Sequence, residues 1–106
     1  MISVVRNALD DMKAKDVVEL DVTEKSTVTD RMIIASGTSK RHVASIGQHV
    51  QEEVKHSGLI PLGIEGQDTG EWVLVDLGDL VVHIMMPDAR SFYDLERLWG
   101  FDEDEA

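Results

Sequence analysis

Residues 72–86 read Trp-Val-Leu-Val-Asp-Leu-Gly-Asp-Leu-Val-Val-His-Ile-Met-Met. Two apolar, β-branched runs, Trp72–Asp76 and Leu80–Met86, flank Leu77-Gly78-Asp79. That connection is too short to hold a helix, so the runs are expected to return as an antiparallel hairpin. Both are apolar on successive positions, so both faces of this hairpin want cover. Pro87 then opens a final helix, with Phe92, Leu95, Leu98 and Trp99 as its apolar positions and Gly100 as its end.

Working back from the hairpin, Glu65–Gly70 is a turn-rich loop and Pro61–Ile64 a short strand. Val43, Ile46, Val50 and Val54 make one stripe of a helix that Ser39 caps and Gly58 stops. Arg31–Ala35 is a buried strand, and Val17–Val22 is a strand with partial alternation. Residues 2–14 form an amphipathic helix through Val4, Val5, Ala8, Leu9 and Met12. The order helix, strand, strand, helix, three strands, helix predicts an α/β fold, a mixed sheet of about five strands with three helices. Residues 1–100 form a single domain, and 101–106 an acidic, frayed tail. Three helices are few for a sheet that wants cover on both sides, which directs attention to an uncovered apolar surface near the hairpin.

A chain of 106 residues, 42% of them hydrophobic, fits one domain with a modest core. It has no cysteine, which excludes disulfides, thiol nucleophiles and thiolate metal sites and suits a reducing cytoplasm. No apolar run approaches the ~20 residues that span a bilayer, and no signal-like N-terminus is visible, so a membrane location is not expected. Twenty-one acidic against ten basic residues give a formal charge of −11. Nucleic-acid binders need a basic face, and Lys40-Arg41-His42 is too small to supply one. The charge points instead to a basic partner.

Several constellations could hold chemistry. Ser36-Gly37-Thr38-Ser39 precedes a helix and could present N–H groups to a phosphate, but lacks the glycine-lysine spacing of phosphate-binding loops. Glu19 and Asp21 share a strand face like the magnesium-binding pair of a nucleotidyltransferase. In such enzymes, however, the carboxylates follow the glycine-serine turn, and here they precede it. His42, His49 and His56 recur every seven residues, and His49, Glu53 and His56 could reach one metal, yet no fourth ligand is evident. His83, within an apolar strand, suits a hydrogen-bonded core histidine. A magnesium-dependent nucleotide-binding or nucleotidyltransferase-like enzyme is therefore the alternative to a binding protein that has no cofactor and no catalytic residues.

Taken together, Asp30-Arg-Met-Ile-Ile-Ala-Ser-Gly-Thr-Ser-Lys-Arg-His-Val43, Glu65-Gly66, Trp72-Val-Leu-Val-Asp-Leu-Gly-Asp79, His83 and Arg90-x-x-Tyr-x-Leu-Glu-x-Leu-Trp99 resemble the ribosomal silencing factor (Iojap-like) family over residues 1–100. The resemblance implies a nucleotidyltransferase-like topology without its catalytic carboxylates. It also implies a translation repressor that binds the L-fourteen protein of the large ribosomal subunit. Bound there, it would block association with the small subunit under nutrient limitation, with little direct nucleic-acid contact. Carried onto this sequence, it assigns partner binding to Trp72, Asp76, Leu77, Gly78, Asp79 and Tyr93. The aromatic and leucine side chains would bury apolar area, the aspartates would pair with Lys or Arg, and Gly78 would permit the turn. His83, Glu96 and Trp99 are assigned to supporting the fold. An exposed apolar sheet would also permit a homodimer.

Overall fold

The computed structural model describes residues 1–27 and 29–100, the side chains of the last two excepted. In chain order the elements are α1 (Ile2–Asp11), β1 (Lys15–Asp21), β2 (Arg31–Ser36), α2 (Lys40–His56), β3 (Gly63–Glu65), β4 (Trp72–Asp76), β5 (Leu80–Met85), α3 (Pro87–Tyr93) and α4 (Leu95–Gly100). The strands form one sheet in the order β1-β2-β5-β4-β3. β2 and β5 run parallel, and the other neighbours are antiparallel. The predicted hairpin is present: Leu77 N–H donates to the Leu80 carbonyl at 2.9 Å, and Trp72 lies opposite Met85.

Strand pleating sorts the side chains onto two faces. Ile33, Ala35, Val73, Val75, Val82 and Ile84 face α1 and α2, meeting Val5, Ala8 and Leu9 of the first helix and Val43, Ile46, Val50 and Val54 of the second. The opposite face bears Leu20, Met32, Ile34 and Met85, covered by Val22 and by Leu95 of α4. α2 begins where expected, with the Ser39 hydroxyl accepting from the His42 N–H at 3.0 Å.

Of the boundaries that differ from the sequence expectation, three have a clear local reason. α1 stops at Asp11 because Lys13 takes the left-handed conformation (φ 58°) and Ala14 N–H closes back onto the Leu9 carbonyl. β3 starts two residues late: Pro61 has no N–H to offer, and pairing begins with Leu62 N–H to the Asp76 carbonyl at 2.8 Å. The last helical stretch is divided at Asp94 (φ 53°), which re-aims the chain. Of its expected apolar positions Leu95 is buried, whereas Phe92 and Leu98 are 81% and 66% exposed. The Trp99 side chain and the acidic tail at 101–106 lie outside the described residues.

Candidate functional site

On the face turned away from α1 and α2, α4 packs on β1, and α3 meets β4 at its Trp72 end. Cross-strand register places Trp72, Leu74 and Asp76 of β4 beside Met85, His83 and Val81 of β5, and Glu65 and Gly63 of β3 beside Leu74 and Asp76. Leu74, Asp76 and Val81 are half-buried. They form an open floor, walled at one end by Trp72 and the 51%-exposed Tyr93 of α3. At the other end the chain before β3 presents Ile60 and Leu62, 85% and 69% exposed. Leu62 sits next to the Gly78 turn. The half-buried Leu74 and Val81 thus give this face an apolar floor, with the Asp76 carboxylate beside it.

Trp72 is fixed from three sides. Its indole N–H donates to His83 Nδ1 at 2.9 Å, so the imidazole proton resides on Nε2. Its ring meets that of Tyr93 with centroids 4.7 Å apart and planes at 46°. Behind it, Gly66 (φ 87°) presses so close to the Trp72 carbonyl that no β-carbon would fit. His83 is 5% exposed, and burial pushes its pKa down to about 4, which keeps it a neutral acceptor for the indole. Tyr93 is placed through Arg90, whose guanidinium grips Glu96 with two bonds of 2.8 and 3.1 Å and reaches the Ser36 hydroxyl at 2.9 Å. Those bonds tie α3 and α4 to the end of β2.

The six residues expected to bind a partner do not form one cluster. Trp72 and Asp76 stand at opposite ends of β4, about 13 Å apart at the usual strand rise. Tyr93 joins Trp72. Gly78 (φ 88°) closes the turn, its N–H donating to Asp76 Oδ1 at 2.9 Å. Leu77 is corrected: at 7% exposure it belongs to the core under α1 and α2 and offers no surface. Asp79 is exposed but borders a cleft with Met1, Ile2 and Asp30, beside the start of α1. Leu74 and Val81, half-buried on the open face, were not among the expected residues. Leu74 was accessible through its two-residue spacing from Trp72 and Asp76; Leu62 fell within the strand expected at Pro61–Ile64, and Ile60 preceded it.

A family model described as "Ribosomal silencing factor during starvation" matches residues 1–106. The chain belongs to the ribosomal silencing factor family. It is 48% identical over 93 residues to the ribosomal silencing factor of Chromobacterium violaceum, covering 88% of this chain and 76% of that one. A crystal structure of a C. violaceum protein superimposes with a TM-score of 0.90 at 45% identity, covering 92% of this chain and 82% of its own. A mouse relative named "Mitochondrial assembly of ribosomal large subunit protein 1" is 35% identical over 99 residues, covering 88% of this chain and 43% of the mouse protein.

In this silencing-factor chain the other constellations are committed to the fold. Glu19 bridges Arg6 and Arg31 at 3.1 and 3.0 Å, and Asp21 accepts from the Thr23 hydroxyl and N–H. These two hydrogen bonds hold the Asp21 carboxyl below its usual range. The N–H groups ahead of α2 are likewise engaged: Gly37 with the Met85 carbonyl, Thr38 with His42 Nδ1, His42 with Ser39. His42 Nε2 in turn donates to the Met12 carbonyl at 2.7 Å, locking α1 to α2. His49 meets Asp11 and His56 meets Glu53, each a separate pair. Among the described residues no three His, Asp or Glu side chains are grouped to hold a metal, and no helix is long and apolar enough to cross a membrane.

Proposed function

We propose that this chain is a cytoplasmic, non-enzymatic translation repressor. It docks its open sheet face on the L-fourteen protein of the large ribosomal subunit and sterically keeps the small subunit from joining when nutrients are short. The observation that carries the reading is the uncovered apolar floor of Leu74 and Val81, walled by Trp72 and Tyr93, with the Asp76 carboxylate beside it. Such a surface buries apolar area at its centre and offers charge to a basic partner. The formal charge of −11 supports approach to a basic protein set in RNA and disfavours direct contact with the RNA itself. The relatives' names support the ribosomal target, and the mouse relative's name points to the large subunit.

Sedimentation of the purified chain with isolated large and small subunits, followed by a subunit-joining assay, tests this. Co-sedimentation with large subunits alone and slowed joining are expected. Absence of the chain from the large-subunit fraction, or normal joining while it is bound, would overturn the proposal.

A further inference from the structure

Between the start of β4 and α3 lies a cleft of about 410 Å³, lined by Thr69, Glu71, Trp72, Asp88, Ala89, Phe92 and Tyr93. Three of the chain's five aromatic rings meet there. Phe92 and Tyr93 meet at right angles (5.1 Å between centroids, 90° between planes), and Phe92 is largely exposed. Among the described residues no lysine or arginine lines the cleft. The Glu71 and Asp88 carboxylates have no ion-pair partner among the described residues.

We propose that this cleft receives an arginine side chain of the docking partner, the guanidinium lying on the aromatic faces and its N–H groups directed to Glu71 and Asp88. The inference rests on the docking reading above and adds to it the chemistry of the residue recognised. Three properties select the occupant. Aromatic faces present negative potential, as do the two carboxylates, so the cleft repels anions and attracts a cation. A purely apolar side chain would strip water from two carboxylates and give them nothing in return. Of the two basic side chains, arginine has the planar, weakly hydrated head that stacks on rings and bonds carboxylates at its edge, whereas the lysine ammonium is a compact, strongly hydrated point charge. The Trp72–His83 hydrogen bond makes the indole a fixed platform, so stacking costs little rearrangement.

The test needs no ribosome. The full chain, labelled with nitrogen-15, is titrated with N-acetyl-arginine amide and separately with N-acetyl-citrulline amide, the uncharged isostere. The Trp72 indole N–H signal is the reporter, assigned by its loss in Trp72→Phe. Saturable shifts at the indole and at Phe92 and Tyr93 are expected with arginine at dissociation constants of about 10–100 mM, and at least about tenfold weaker binding with citrulline. The double variant Glu71→Gln/Asp88→Asn should keep the free-protein indole position, showing the platform intact, and weaken arginine binding about tenfold. Equal response to the two amides, shifts confined to other surfaces, no response at about 0.1 M, or an unaffected double variant would each overturn the inference. Large-subunit sedimentation judges the docking reading separately: a chain that binds subunits yet ignores arginine refutes only the pocket.

Discussion

Replacing His83 with glutamine and following stability against pH isolates the group on which the Trp72 wall stands. Glutamine can still accept the indole hydrogen bond through its carbonyl oxygen, but it does not titrate. In the wild-type chain the unfolded imidazole takes up a proton near pH 6.5, and the folded one only near 4. The unfolded state therefore binds more protons between these values, so stability is fully present above pH 6.5 and falls as the pH is lowered. The group is 5% exposed, so solvent screening takes little from the effect. A separation of about 2.5 units implies a loss of about 2 kcal/mol at pH 5 and about 3 kcal/mol at pH 4, relative to pH 7. Protonation also turns Nδ1 from acceptor to donor, setting it against the Trp72 N–H. Urea unfolding of both chains at pH 7, 6 and 5 gives the answer as a difference, because His42, His49, His56 and every carboxylate are common to the two. The wild type should lose about 2 kcal/mol more than His83→Gln by pH 5. Parallel stability curves would mean that His83 titrates normally, and the picture of a dry, neutral support beneath Trp72 would be wrong.

Further substitutions separate the core from the docking face. Leu77→Ala should cost about 2–5 kcal/mol in urea unfolding as a core cavity, while large-subunit binding per folded molecule stays unchanged. Leu74→Lys should do the reverse: Glu65 lies opposite and can pair with the new ammonium, so stability moves by less than about 1 kcal/mol, while sedimentation with large subunits falls at least about tenfold against a basic partner. Asp76→Asn keeps an oxygen for the Gly78 N–H but removes the charge. It should slow association and flatten its salt dependence, measured by binding kinetics at two ionic strengths. Gly78→Ala meets nothing nearer than Leu62 Cδ1 at 3.7 Å, so its expected cost of about 1–2 kcal/mol is purely that of φ 88°. Ser39→Ala should cost about 1 kcal/mol by leaving the His42 N–H without its cap.

The parts of this fold that follow local rules were legible in the sequence. The three-residue link between β4 and β5 dictated a hairpin, Ser39 and Gly58 bracketed α2, and the apolar runs at β2, β4 and β5 named the central strands. A deficit of helices for two sheet faces directed attention to the hairpin, where Leu74 and Val81 are half-buried. Legibility failed where a single residue's backbone conformation decided the outcome: Asp94 in the left-handed region divides the last helix and throws Phe92 and Leu98 outward. It failed also at Leu77, because whether a hairpin-end leucine turns in or out depends on tertiary packing against α1 and α2. The Trp72–His83 bond joins residues eleven apart in sequence. Their register follows from the turn, yet nothing in the local sequence states that the indole reaches across rather than out.

The edges of the sheet favour its face as the route of the proposed docking. A partner strand could be recruited by backbone pairing only at β1 or β3. β3 offers three residues, too few for a stable added strand. β1 is interrupted between Lys15 and Val18, where Asp16 takes φ 51°, and it carries four charged side chains, Lys15, Asp16, Glu19 and Asp21. Neither edge supplies a long, regular row of free N–H and carbonyl groups. The proposed docking would then draw its energy from side chains around Leu74, Val81 and Trp72, where a few buried anchors dominate and the surrounding contacts matter little. Single changes at Leu74 or Trp72 should therefore abolish docking out of proportion to the area they remove, whereas a partner held by strand addition would tolerate them. A shallow, evenly distributed loss across Leu62, Leu74, Val81 and Trp72 substitutions in the sedimentation assay would contradict this and return attention to the edges.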